Sequence, residues 1–461
     1  LIACRVVMGI GAAAIMPATL SILTNVFTVP SERARAIALW SAVSGLGVAI
    51  GPTLGGWLLE HFSWGSIFMV NLPIVAVALI AGRLLVPASK NPNPAALDPV
   101  GLVTSVAGVV AVVYAIIEAP ASGWLSIRTL GVAAAGVVVL AGWVVYELRS
   151  SHPMVDLRVF RNARFSAASF SITMIFLALF GWLFLFTQQL QFVIGYNTLQ
   201  AGARALPFAV TIGAVSQPAA RLAGRVGTKA VATAGLALMA TGFALMATSS
   251  AHTGYAFLLP ASIVIAAGMG LAMAPATESI MGSLPPAQAG VGSAVNDTTR
   301  SLGGALGVAV MGSVASSIFV SRIGSALSHL PATFATRARS SVGAAVTVGQ
   351  HAPGPIGRDL VEAARQAFVS GSDHAMIAAT AAALLGSLVA ARFLPAHSAG
   401  EATISAEVPA ARFVQRAGAG AAGAVRPSTI ALHPILRPTM AMSPGGSSSS
   451  PKDLDTVAAT P

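Results

Sequence analysis

The chain has 461 residues, of which 55% are hydrophobic and 9% charged, and its 26 Lys/Arg against 15 Asp/Glu give a net charge of +11. Soluble domains carry about 25% charged residues, so a mean hydropathy of +0.78 excludes a water-soluble globule and a disordered chain and points to a polytopic helical membrane protein. Cytoplasmic loops of such proteins collect Lys and Arg, and no Lys/Arg cluster with interleaved aromatics speaks for nucleic acid.

In chain order, about eleven apolar stretches reach the roughly 20 residues that a bilayer span takes. They cover 2–26, 36–59, 65–86, 99–118, 128–147, 166–194, 202–220, 229–249, 255–281, 291–319 and 375–395. No basic region precedes the first, unlike a signal peptide. The short loops alternate in charge. One set carries Arg33 and Arg35, then Lys90, then Arg149, Arg158, Arg161 and Arg164, then Arg221, Arg225 and Lys229, while loops near 60–64, 195–201 and 250–254 carry no Lys or Arg. The positive-inside rule places the basic set in the cytoplasm, residue 1 outside and the C-terminus inside. Residues 320–373 read as a long, polar and basic outer loop. Residues 396–461, rich in Ala, Pro, Gly and Ser, read as a disordered cytoplasmic tail. The excess of Arg over Lys, with abundant Ala, Gly and Val, is the bias of GC-rich bacterial genomes such as those of actinobacteria.

The chain contains a repeat. PATLSI at 17–22 and PATESI at 275–280 each follow a G-x-G, and a downstream offset of 256 aligns Pro30 with Pro286, Leu46 with Leu302, Gly47 with Gly303, Gly51 with Gly307 and Gly56 with Gly312. Three spans stand between residue 151 and the second copy. Equal halves require three before the first copy too. The expected whole is fourteen spans, two six-helix halves and an inserted pair, of which this chain holds the last eleven. Its expected divisions are 1–90, the end of the first half; 91–150, the inserted spans; 151–395, the second half with its outer loop; and 396–461, the tail. Parallel repeats about an axis along the membrane normal are a transporter plan.

Residues 45–58 read GLGVAIGPTLGGWL. Gly47, Gly51 and Gly55 recur every four residues and share a helix face, which lets a neighbour approach closely. Pro52 removes a backbone donor and kinks the helix; Gly56 completes the string. Taken alone, such a stripe serves ordinary small-residue packing equally well. The string GxxxGPxxGG resembles the antiporter signature in the fifth span of the major facilitator superfamily. Arg5 with VVMGIGAA resembles the RxxxG motif of that family's fourth span, with Met8 where Gln is common. FMVNLP at 68–73, with Asn71 and Pro73, is similar to the opening of the sixth span. LFTQQLQFVIGY at 185–196 and GVGSAVNDTTRSLGGALGVAVMG at 290–312 resemble the fourteen-span drug:proton antiporters, and RLAGRVGTK at 221–229 resembles a degenerate loop motif with Gly224 in place of an acid. The resemblance covers about residues 1–395. It implies an all-α major facilitator fold in the plasma membrane, monomeric and without cofactor, exporting drugs or other amphipathic small molecules against entering protons by alternating access. Two other readings stay open. One is an exporter of an endogenous metabolite, lipid or self-made antibiotic; the other, from a different class, is a membrane sensor or scaffold that transports nothing.

Ionisable residues inside spans are costly and mark function by default. Glu278 and Asp297 lie in consecutive spans toward the cytoplasmic side, where a carboxylate in a low-dielectric cavity can hold and release a proton. Arg300, three residues after Asp297, is placed to pair with it on one helix face; a structural ion pair or groups snorkelling to the headgroups is the alternative. At the repeat offset these two align with Ser41 and Ser44. Arg5 joins them through the resemblance, which implies a part in proton transfer. Gln188, Gln189 and Gln191 follow Phe176, Phe180, Trp182, Phe184 and Phe186 near the outer end of one span. Amides and aromatics facing a cavity suit an amphipathic drug, and a lipid-facing aromatic stripe is the alternative. Gln189 and Asn71 are the candidate substrate residues. Cys4 stands alone, and neither GxxxxGK[ST], GxSxG nor HExxH occurs, so no enzyme, metal or nucleotide chemistry is expected.

Overall fold

The computed structural model describes residues 2–27, 36, 47, 50–86, 98–150, 153–284, 289–328 and 330–396. All regular elements among them are helical. α1 is Ile2–Val26, α2 covers helical residues 50–61, α3 is Ser66–Met69 and α4 Asn71–Leu85. α5 is Pro99–Ser122 and α6 is Ile127–Arg149. α7, Ala163–Gln188, runs on into a π-helical turn, Gln189–Val193. The chain continues through α8 Thr198–Arg204, α9 Leu206–Val226, α10 Thr228–Met246 and α11 Tyr255–Met281. Among the described residues, eight helical stretches are long and apolar enough to cross a membrane. Arg33, Arg35, Ser41, Ser44, Lys90 and the tail beyond residue 396, each given a place by the sequence, lie outside the described residues.

Hydrocarbon satisfies no backbone group, so spanning segments close their hydrogen bonds within the helix and cap its ends. Asp98 accepts from Gly101 N at 2.9 Å ahead of Pro99. Asn162 accepts from the amides of Arg164 and Phe165 at the start of α7, and Asn197 from Gln200 N at 2.7 Å at the start of α8. Gly123 and Gly227, with φ of 89° and 93°, end α5 and α9 in a backbone region that favours glycine.

The core lies among α7, α10 and α11, around Phe165, Ile172, Trp182, Leu236, Phe243 and Ile265. Lipid tails are as apolar as leucine, so close van der Waals contact holds such helices together. Small residues supply that contact. A Cβ on Gly268 would collide with the backbone of Met239 on α10. Hydroxyls tie the helices further: Ser171 Oγ donates to Gly386 O at 3.3 Å and Ser387 Oγ to Thr233 O at 3.0 Å. Ser313 Oγ donates to Ile116 O at 2.7 Å and Trp124 Nε1 to Ser317 Oγ at 2.9 Å, tying α5 and the segment after it to the helix Ala289–Leu327.

The stretch 320–373, expected as a loop, is mostly helical. α12 extends over Ala289–Leu327, α13 is Ala332–Arg339, α14 is Val342–His351, and α15 runs from Gly354 to Phe393. The last long helix thus starts at Gly354 and not near 375. Helices of 39 and 40 residues are about 60 Å long, twice the roughly 30 Å hydrocarbon layer. Arg358, Asp359, Glu362, Arg365 and Asp373 depress the hydropathy of the early part of α15. Leu360, Ala364, Ala367, Gly371 and Ala375 nevertheless recur every three or four residues and are all buried, the stripe of an amphipathic helix.

Candidate functional site

α2 carries the glycine string to a seam with α8. A Cβ on Gly56 would collide with the Thr198 carbonyl, and one on Gly202 with the Pro52 carbonyl. Thr198 Oγ1 donates to Gly56 O and Thr53 Oγ1 to Gly202 O, both at 3.3 Å; Asn197 Nδ2 donates to Glu60 Oε1 at 3.1 Å. Close contact falls on Gly56 and not on the expected stripe. Around the Cβ positions of Gly47, Gly51 and Gly55 nothing stands within 4 Å among the described residues. Gly56 lies about 100° round the helix from Gly55. Spacing tells which positions share a face; the fold decides which face meets a partner.

A second feature lies where α7, α11 and α12 meet. Arg300 Nη2 on α12 donates to Thr277 Oγ1 on α11 at 3.1 Å, and its guanidinium stands 5.5 Å from the Phe176 ring centre on α7. Asp297 is half-buried one turn earlier. The two do not form the anticipated salt bridge: among the described residues the ion pair present is His252–Glu362, at 3.6 Å. Hydrogen bonding to Thr277 and stacking near Phe176 draw the guanidinium across to the neighbouring helices. Arg300 Nε and, one turn earlier on the same helix, Asn296 Oδ1 are buried with no hydrogen-bond partner among the described residues. Buried polar groups are nearly always paired, so each such exception calls for an explanation.

The other candidates stand apart from this junction. Glu278 is exposed, while its neighbours Ser279 and Ile280 are fully buried. Arg5 is exposed, its guanidinium 5.0 Å from the Phe68 ring centre. Asn71 is exposed and donates to Ile67 O at 3.4 Å. Gln189 is 4% exposed and points into the bundle, where Nε2 donates to Ser249 Oγ at 3.4 Å. Of the aromatics before it, Trp182 and Phe186 are buried and stacked at 4.8 Å, while Phe180 and Phe184 are exposed and lie against Gly304 and Gly312. Asp373 on α15 accepts from Ser249 Oγ at 3.2 Å. Sequence reasoning misses it because it falls in the segment expected as a loop; the buried stripe of α15 is the signal that could have found it.

Comparison with known proteins accords with this architecture. Residues 1–308 match the family described as Major Facilitator Superfamily. The multidrug efflux pump LfrA of Mycolicibacterium smegmatis is 33% identical over 391 residues, 84% of this chain and 77% of that protein. The methyl viologen resistance protein SmvA of Salmonella typhimurium is 33% identical over 394 residues, 84% of this chain and 78% of its own. The tetracenomycin C resistance and export protein of Streptomyces glaucescens is 30% identical over 398 residues, 84% and 73% of the two chains. With that match, those relatives and its membrane-spanning helices, the chain belongs to the major facilitator superfamily and is a multi-pass membrane transporter, not an enzyme.

Proposed function

We propose that this transporter exports drugs or other amphipathic small molecules in exchange for protons, by alternating access. The observation that carries the reading is the polar junction at Arg300: an arginine and a nearby carboxylate, Asp297, inside candidate spans, not paired with each other, with Arg300 Nε and Asn296 Oδ1 buried and without a hydrogen-bond partner among the described residues. A carboxylate free of a salt bridge can take up a proton without first breaking one. In this reading Asp297, Glu278, Arg300 and Arg5 handle the proton, and Gln189 and Asn71 meet the substrate. The seam between α2 and α8, where the Pro52 carbonyl meets Gly202 and Gly47, Gly51 and Gly55 lie on the flank that no described residue fills, yields as the halves rock. Substrate class follows the relatives, whose names speak of multidrug efflux and methyl viologen resistance. Export of a self-made product is the second reading, favoured by the relative named for tetracenomycin C. The protein works as a monomer in the plasma membrane of a bacterium with its C-terminus in the cytoplasm. Residues 1–90 and 151–395 belong to the two halves, and 91–150 is the insert.

Cells expressing the protein should expel ethidium, and a protonophore should stop them. Asp297→Asn should lower that efflux at least about tenfold with membrane expression unchanged. Undiminished efflux by this variant removes Asp297 from the mechanism, and efflux indifferent to the protonophore removes proton coupling.

A further inference from the structure

Gln189, Ser249 and Asp373 form a directional hydrogen-bond chain at the end of the bundle that carries loop 250–254. Gln189 Nε2 donates to Ser249 Oγ at 3.4 Å, and Ser249 Oγ donates to Asp373 Oδ1 at 3.2 Å. The chain joins the end of α7, the segment after α10 and the body of α15. Gln189 opens the π-helical turn Gln189–Val193, a backbone form that is rare and frequent at functional sites. The turn is held twice more. Arg365 Nε donates to Phe192 O at 3.3 Å, and the Phe192 ring fills the place beside Gly343 on α14, where a Cβ would stand 2.8 Å from it. The ionisable groups acting on Asp373 are Arg322 on α12 and His374 on α15. After the end of α10 it meets the neutral Ser249, which the neutral Gln189 of α7 bonds in turn. Glu362 is engaged with His252.

We infer that Asp373 is a further proton-carrying carboxylate, whose protonation is relayed through Ser249 to the π turn at Gln189. The inference rests on the proton-coupled reading above. An ionised carboxylate only accepts hydrogen bonds, so the chain runs from Gln189 through Ser249 to Asp373. A protonated carboxyl gains an O–H donor. Asp373 then donates to Ser249 Oγ, the single hydroxyl proton of Ser249 turns toward Gln189, and the Gln189 amide rotates to present its oxygen. One proton is added from water, no other bond forms or breaks, and the change reaches α7, the helix that carries Phe176 to the Arg300 junction at a distance along its length.

The test uses the purified protein in liposomes with ethidium as the probe. Two rates are measured: uptake driven by an imposed pH gradient, over a series of pH values, and downhill exchange without a gradient. Asp373→Asn should lower driven transport by about tenfold or more while downhill exchange stays within about twofold of the parent. Asp373→Glu should restore driven transport, and Ser249→Ala should shift its pH profile. Driven transport by Asp373→Asn at the parent's rate and profile overturns the inference. So does equal loss of both rates in Asp373→Asn without rescue by Asp373→Glu, which marks a purely structural residue. If the parent itself ignores the pH gradient, proton coupling as a whole fails, an outcome distinct from either.

Discussion

Gly303 and Gly307 on α12 press against the carbonyls of Thr173 and Leu177 on α7, whereas their repeat partners Gly47 and Gly51 meet no atom within 4 Å among the described residues. The same contrast runs through the two helical groups. The best membrane window of α3 and α4 has none of its residues buried, against 50% in α7 and 50% in α11. Both regions carry the same small-residue pattern, but in one it is consumed by packing and in the other no described residue fills it. A glycine already filled by a neighbouring backbone serves cohesion. An unfilled one leaves its helix free to meet a different neighbour in another conformation, as the proposed alternating access requires.

The sharpest way to break this contrast is to put the same side chain at both ends of a repeat pair. Gly307→Val should destabilise the protein by about 1–3 kcal/mol or more, because the Leu177 carbonyl cannot withdraw without moving α7. Gly51→Val should leave stability within about 0.5 kcal/mol. Thermal denaturation of the detergent-solubilised variants measures both, and equal losses would erase the distinction. The seam supplies an intermediate case. Gly202→Val meets the backbone of Pro52, but α8 has only seven residues and can shift, so a cost of about 1–2 kcal/mol is expected. Ethidium efflux should fall as well, since the two helical groups touch there. A variant with full stability and full efflux would detach the seam from both roles. The smallest effect belongs to the exposed pair His252–Glu362, with side chains 80% and 40% exposed. His252→Ala should change stability by less than about 0.5 kcal/mol, which the same melting curves can check.

Much of the architecture is legible in the order of the amino acids. Eight of the expected spans recur as helices suited to a membrane, because apolar content and length are summed over twenty residues and survive local error. The family is legible in its motifs, since Pro52 beside Gly51 and Arg5 before Gly9 stand at fixed separations along one chain. The loop reading of 320–373 fails for an equally physical reason: a hydropathy average cancels the charged and buried faces of α15, which only helical periodicity separates. The site is less legible. Asp297 and Arg300 stand out as charges within spans. Their separation from each other, and the bond from Arg300 to Thr277 across to α11, depend on how three helices converge.

The amino-acid order alone determined that this chain is helical, lives in lipid and repeats itself. Those properties follow from composition and from short-range spacing, which no packing arrangement alters. Tertiary structure alone decided that Gly56 and not Gly55 meets α8, that Gln189 is bonded inside the bundle, and that Asp373 joins it through Ser249. Each is a contact between residues far apart in the chain. In a membrane, where helices have no preferred apolar side, such contacts are set by the fit of neighbouring surfaces.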